Sequence, residues 1–250
     1  MSGKVYLVGA GPGAPDLLTV RAVRILERAD IVFHDALVHP QTLALATHAQ
    51  LIAVGKRCGK HSTAQRFINK RLIDAARQHD VVVRLKGGDP MLFGRAQEEI
   101  AALRAAGIAL EVVPGVTSAL AASAELEASL TQRGVSRSVA FVTPRVGEHE
   151  RASSWINAAV AADTAVIYMG RGEAASITAA LLAHGRSAHT PVAIVENASH
   201  GNSMRHIGRL SDLPALAALT GEGPTMIILG EVIGAAVSAL REPARLQSVG

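Results

Sequence analysis

The stretch that decides the fold is Arg84–Glu99, R-L-K-G-G-D-P-M-L-F-G-R-A-Q-E-E. The apolar run Val81-Val82-Val83 leads into it and reads as a buried strand. The chain then breaks at Gly87-Gly88-Asp89-Pro90 and re-enters a helical pattern from about Leu92. Two glycines permit a sharp turn and let a ligand approach the backbone with no Cβ in the way. Asp89 supplies an acceptor at the strand's carboxyl end, and Pro90 fixes the exit. Arg95 and Glu98 follow at i, i+3 spacing, which predicts that they share one helix face. Alone, this is a strand, a turn and a helix with a surface ion pair. Its weight comes from similar loops elsewhere in the chain.

Before it, strand Lys4–Val8 ends in Gly9-Ala10-Gly11-Pro12-Gly13-Ala14-Pro15. Asp16 is placed to cap a helix reaching about Arg28, with Leu17, Leu18, Val20, Val23 and Leu26 on its buried side. Strand Ile31–Phe33 closes on His34-Asp35, a helix lies near Pro40–Ala46, and strand Gln50–Val54 ends in Gly55-Lys56. An amphipathic helix runs from Ser62 to about Gln78. After the central stretch, helix Phe93–Ala106 leads to strand Leu110–Val113 and then Pro114-Gly115. Strand and helix alternate, which predicts a parallel sheet covered on both faces. Ligands of such sheets bind beyond the carboxyl ends of the strands. Those ends carry Gly9–Gly13, Asp35, Gly55-Lys56, Gly87–Asp89 and Pro114–Ser118.

The second half reads differently. An alanine-rich helix at Thr117–Glu127 precedes Leu130-Thr131-Gln132-Arg133-Gly134 and a strand at Val139–Val142. A helix near Ala152–Ala162, strand Ala165–Tyr168 with Met169-Gly170, and helix Ala174–Ala183 follow. Further strands are Val192–Glu196, Ser203–Ile207 and Met226–Leu229, the last after Gly223-Pro224. Two neighbouring strands with no helix between them predict a mixed sheet. The reading is therefore two α/β domains, a parallel-sheet N-terminal domain over 1–116 and a mixed-sheet C-terminal domain over 117–243. The tail from Arg241, with Pro243, is expected to fray.

Composition limits the function. The 250 residues are 49% hydrophobic with a mean hydropathy of +0.26, enough for sizeable cores, and no apolar run approaches a membrane span. No signal-peptide pattern precedes the first strand, and the expectation is a cytoplasmic protein. The single cysteine, Cys58, excludes an internal disulfide and a cysteine-cluster zinc site, and the ten histidines, His34, His39 and His61 among them, show no metal spacing. The net charge of +4 suits an acidic ligand. With only 3% aromatics and no basic run, nucleic acid is not the expected partner.

Gly9–Ala14 fits G-x-G-x-x-A, and Asp35 lies about where a ribose-binding acid would stand in a dinucleotide fold. However, Pro12 and Pro15 put rigid rings where free N–H groups should point at phosphate. NAD binding is the second reading of this loop.

Taken together, the motifs resemble the tetrapyrrole methylase family over about residues 4–240. They are V-G-A-G-P-G at Val8–Gly13, D-A-L-V at Asp35–Val38, G-K-R-C-G-K-H-S at Gly55–Ser62 and R-L-K-G-G-D-P from Arg84. F-G-R at Phe93–Arg95, P-G-V-T-S-A at Pro114–Ala119, Y-M-G at Tyr168–Gly170 and G-P at Gly223 complete the set. The resemblance implies S-adenosyl-L-methionine bound in a cleft between two α/β domains, with S-adenosyl-L-homocysteine as product. By motif position, Pro12, Gly87, Gly88, Asp89, Leu92, Thr117, Ser118, Met169, Ala198 and Thr225 would contact the cofactor. In that family the glycine-rich loop is not a phosphate cradle, which accounts for its prolines. The family is homodimeric, and the same is expected here.

The implied substrate is an anionic tetrapyrrole. The members most alike methylate uroporphyrinogen III at carbons 2 and 7 to give precorrin-2, the branch toward siroheme and cobalamin. Guanidinium groups grip carboxylates in bidentate fashion, and Arg95, Glu98, Arg133 and Met169 fall on positions associated with substrate. Arg95 and Glu98, which holds it, are the implied catalytic residues. Because an arginine stays protonated, it reads as a carboxylate anchor and charge stabiliser, with proton abstraction the alternative. Without the resemblance, Met169 would be a core gap-filler, Arg133 a loop cation and Asp35 a helix cap. The 250 residues leave no room for the dehydrogenase and chelatase module of some siroheme-making relatives, so the expected product is the methylated tetrapyrrole.

The chain departs from the common family pattern at several places. Ala14 replaces an acid, His34 a tyrosine, and Gln132 the histidine of T-H-R-G. Ala124-Glu125-Leu126-Glu127-Ala128-Ser129-Leu130 stands where the family commonly has A-Y-A-G-I-P-L, and Pro144-Arg145 replaces Gly-His. These changes leave methylation of another precorrin, or a divergent paralogue of weak activity, as alternatives.

Overall fold

The structure is a computed structural model that describes residues 3–54, 65–146 and 154–241. It divides into two compact units, Met1–Ser118 and Ala119–Gly250. Motif residues Gly55–Ser62, including Cys58 and His61, lie outside the described residues, as does the tail beyond Arg241.

In the first unit the strands are β1 (Lys4–Gly9), β2 (Ile31–His34), β3 (Gln50–Ala53), β4 (Val81–Lys86) and β5 (Ala109–Val113). All pair in parallel, in the order β3-β2-β4-β1-β5. The intervening helices are α1 (Val20–Leu26), α2 (Pro40–Leu43), α3 (Gln65–Ala76) and α4 (Ala96–Ala105). Strand alternation splits β1 between two cores. Val5 and Leu7 join Leu72 of α3 and Ile100 and Leu103 of α4, whereas Tyr6 and Val8 join Ala22, Ile25 and Leu26 of α1. Both faces are thus buried, which is why these strands read as continuous apolar runs.

The second unit carries β6 (Val139–Val142), β7 (Thr164–Tyr168), β8 (Pro191–Glu196), β9 (Met204–Arg209) and β10 (Thr225–Leu229) in the order β6-β7-β10-β8-β9. Only β6 and β7 are parallel; β10 runs antiparallel to both β7 and β8, and β9 antiparallel to β8. The sheet is mixed, as the helix-free connection between β8 and β9 predicts. Its helices are α5 (Ser118–Glu125), α6 (Trp155–Ala161), α7 (Ala174–Ala183), α8 (Leu213–Ala218) and α9 (Glu231–Arg241). Ile177 and Leu181 of α7 and Leu213 of α8 pack on Ile167, Ile194 and Ile227.

Several local expectations are corrected. Asp16 does not cap the first helix. Pro15–Leu17 is a separate 3-10 turn, the chain extends through Leu18 and Thr19, and Thr19 Oγ1 accepts from Ala22 N at 3.2 Å. That break shifts the helix phase, so Val20 is 65% exposed while Ala22, Ile25 and Leu26 are buried. The helix expected from Phe93 starts only at Ala96, because Phe93 and Arg95 take left-handed φ of 52° and 55°. Gly94 between them is forced: a Cβ there would lie 2.6 Å from Pro90 O. The helix expected to reach Glu127 ends at Glu125, with Glu127 left-handed at φ 51°. The helix near Pro40–Ala46 is the single turn of α2, and α8 and α9 are elements that apolar periodicity did not reveal.

Candidate functional site

At the carboxyl edge of the first sheet, three turns are tied together by backbone. Gly11 and Gly88 form an antiparallel bridge, with Gly88 N donating to Gly11 O at 2.7 Å and Gly11 N to Gly88 O at 3.2 Å. Both glycines are left-handed, at φ 72° and 66°. The turn after β5 closes on the same point. A Cβ on Gly115 would lie 2.3 Å from Gly88 O, and one on Gly9 would lie 2.6 Å from Gly115 Cα. Asp89 links the turns through both carboxylate oxygens, Oδ1 accepting from Met91 N at 2.8 Å and Oδ2 from Gly115 N at 2.9 Å. Pro12, Gly87, Gly88, Asp89, Leu92, Thr117 and Ser118 therefore come from turns at one edge. Gly87 is exposed, and a Cβ there would touch only Leu37, so bare peptide faces outward at this turn.

Arg95 caps α4 and grips Glu98 in bidentate fashion, Nε to Oε1 at 2.7 Å and Nη2 to Oε2 at 2.9 Å. The hydrogen bond from Arg95 lowers the Glu98 carboxyl below its ordinary 4.5 against an opposing effect of burial. The pair is on the surface, as its spacing predicts, with side chains 56% and 49% exposed.

Between β4 and α4 is a buried charge cluster that the sequence reading did not single out. Arg84 and Lys86 leave β4 on the same face and are 3% exposed, and Glu99 of α4 is fully buried. Arg84 Nε donates to Glu99 Oε1 at 3.0 Å, and Lys86 Nζ lies 3.1 Å from Glu99 Oε2. Gln65 Nε2 adds a bond to Oε1 at 3.1 Å, and Arg84 Nη2 pairs with Asp35 Oδ1. Asp35 is thus a partner of Arg84, where the residues alone suggested a ribose acid or a helix cap. Burial opposes the Arg84 charge, but Asp35 and Glu99 outweigh it and raise its pKa. Burial, followed by repulsion from Arg84, lowers Lys86 below the usual lysine range. The signal was present in the sequence. A basic pair two residues apart in a doubly covered strand must point to one buried face, and there it requires a carboxylate.

In the second unit, Met169, Thr225 and Ala198 come to one end of the mixed sheet. Met169 follows β7 with a left-handed φ of 57° and is 44% exposed. Thr225 begins β10 opposite Glu196, the last residue of β8. Glu196, 2% exposed, accepts from Gly221 N and Gly223 N, each at 2.8 Å, while Asn197 N donates to Pro224 O at 2.9 Å. Two loops are thereby joined around buried Ala198.

Arg133 is not brought to that end. It sits exposed in a turn closed by Gln132 and Ser136, and Ser136 Oγ lies 2.9 Å from Thr164 Oγ1 at the amino end of β7. Met169 follows the carboxyl end of the same strand, roughly 16 Å away by the rise of extended chain. Among the described residues, no group of three or more His, Cys, Asp and Glu is arranged to hold a metal, and no helix is long and apolar enough to cross a membrane.

Two α/β units, one with a parallel and one with a mixed sheet, match the architecture of a known family. The profile of the tetrapyrrole (corrin/porphyrin) methylases matches residues 4–214, and the chain belongs to this family. It is 46% identical to a siroheme synthase of Pseudomonas putida over 233 residues, 92% of this chain and 50% of that protein. It is equally similar to the siroheme synthase of Zymomonas mobilis, covering 93% of this chain and 49% of that one. The chain thus spans about half the length of the curated relatives it matches. Among solved structures, uroporphyrin-III C-methyltransferase of Thermus thermophilus complexed with S-adenyl homocysteine is 41% identical with a TM-score of 0.82, covering 93% of this chain and 100% of that one. A cobalt precorrin-4 methyltransferase is 28% identical with a TM-score of 0.81, over 92% and 95% of the two chains.

Proposed function

We propose that the protein methylates uroporphyrinogen III at carbons 2 and 7, in two transfers from S-adenosyl-L-methionine, to give precorrin-2. The observation that carries this reading is the convergence of the turns after β1, β4 and β5 on Gly9, Gly88 and Gly115, in a chain 41% identical to a solved uroporphyrin-III C-methyltransferase. The residues fit the cofactor. The left-handed Gly88 and the exposed Gly87 offer backbone free of Cβ atoms, and the Ala198 loop offers a small apolar wall. Pro12, Gly87, Gly88, Asp89, Leu92, Thr117, Ser118, Met169, Ala198 and Thr225 are the residues assigned to hold it. When bound, the cofactor supplies an electrophilic methyl group.

The nucleophile is an electron-rich pyrrole carbon of the substrate, so the protein's contribution is positioning. Arg95 anchors a substrate carboxylate and stabilises charge, while Glu98 fixes the orientation of its guanidinium. Arg95 stays protonated and does not take the proton that leaves the macrocycle. Met169, projecting from a strained backbone position, shapes the floor beside the reacting carbon. The resemblance also supports a cytoplasmic homodimer that meets neither membrane nor nucleic acid, feeding siroheme- or cobalamin-type synthesis.

Methylation of another precorrin is the second reading, favoured by Ala14, Gln132 and Glu125 in place of the usual residues and by the likeness to the precorrin-4 enzyme. Anaerobic incubation with uroporphyrinogen III and S-adenosyl-L-methionine, followed by absorbance and mass, separates the two. A gain of two methyl groups supports the proposal. Bound cofactor with no transfer to this substrate would move the assignment to another precorrin.

A further inference from the structure

Glu125 ends α5, and its carboxylate is consumed by a loop far away in sequence. Oε1 accepts from Ser199 N and Oε2 from the Ser203 hydroxyl. Arg205 donates to the Glu125 carbonyl, so the helix end is held from β9 as well. The gripped segment, Asn197–Ser203, carries Ala198 between two left-handed residues, Asn197 at φ 52° and Ser199 at φ 70°. Non-glycine residues persist in that conformation only where their surroundings over-determine it. Asn197 N is fixed by Pro224 O, Glu196 fixes the neighbouring Gly221–Gly223 segment, and Glu125 fixes the far side through Ser199.

We infer that Glu125 is a positioning residue for the methyl donor, presetting the Ala198 loop without touching the ligand. The inference rests on the proposed methyl-donor site. Both carboxylate oxygens are already bonded within the loop, which assigns the side chain to shaping the wall and not to contacting what lies against it. A carboxylate suits this task because it is an acceptor only. It takes one backbone N–H and one hydroxyl at once, and glutamine in its place offers a single oxygen.

The test is calorimetric titration of S-adenosyl-L-homocysteine into the wild type and the variants Glu125→Gln, Glu125→Ala and Ser203→Ala, with thermal unfolding recorded for each. The expected result is affinity weakened about tenfold in Glu125→Ala, less in Glu125→Gln, and least in Ser203→Ala. In turnover, KM for S-adenosyl-L-methionine should rise while kcat and KM for uroporphyrinogen III stay within about twofold, a split that general loss of structure would not produce. Wild-type affinity in folded Glu125→Ala and Glu125→Gln would overturn the inference and leave the methyl-donor site standing. A wild type that binds no S-adenosyl-L-homocysteine would overturn both. Should Glu125→Ala not fold, Ser203→Ala decides, since it deletes one hydroxyl only; unchanged affinity there overturns the inference.

Discussion

At the scale of single residues, the fully buried Glu99 and the surface Glu98 are adjacent in sequence and do opposite work. Glu99 is a counter-charge of Arg84 and Lys86 inside the first unit, so removing its charge strands the buried Lys86 and leaves Arg84 with Asp35 alone. Glu99→Gln is expected to destabilise the protein by about 3–5 kcal/mol, measured by urea unfolding at pH 7. Glu98→Gln should cost little stability at that pH, because its pair with Arg95 is half exposed. It should instead lower kcat/KM for the tetrapyrrole by loosening Arg95. The pH dependence has a definite sign. The Glu98 pKa is lowered by folding, so its stabilising contribution is complete above the ordinary 4.5 and is lost as pH falls through the lowered value. Acid unfolding curves of the wild type and Glu98→Gln should therefore converge below pH 4.5, and curves that stay parallel would contradict the pairing.

At the scale of elements, the turns after β1, β4 and β5 behave as one object, since each approaches the others within distances that admit no side chain. Gly115→Ala would drive a methyl group into Gly88 O, 2.3 Å away, and displace the turn that holds Asp89. The expected outcome is a loss of about 1–3 kcal/mol in stability, with S-adenosyl-L-homocysteine affinity falling more than in Glu99→Gln. Titration calorimetry on both variants checks this. The strands around these turns were legible in sequence because both faces of the parallel sheet are apolar. Helix starts were less so. α1 begins four residues after Asp16 because Pro15 closes its own turn, and α4 begins at Ala96 because Gly94 cannot carry a Cβ. Those are steric facts about neighbours that a hydrophobic period does not contain.

For the molecule as a whole, the assigned residues lie in two units that each present one sheet end. Arg133 is the exception, lying at the amino end of β7 and not beside Met169. Arg133→Ala is therefore expected to leave KM for uroporphyrinogen III and S-adenosyl-L-homocysteine affinity both within about twofold. Steady-state kinetics beside calorimetry test it, and a several-fold rise in KM for the tetrapyrrole alone would return Arg133 to the substrate side. Sequence alone determined the two α/β domains, the parallel and mixed sheets, and the motif set that placed the chain in its family, because periodicity and turn chemistry are local properties. Only the tertiary structure decided that Asp35 serves Arg84, that Glu99 is the buried partner of Arg84 and Lys86, that Glu125 grips a loop 74 residues away, and that the Arg133 turn sits at the opposite end of β7 from Met169. The reason is physical. A charge becomes buried, or a carboxylate finds a backbone N–H, only when distant segments pack, and the chain does not encode that distance in any one stretch.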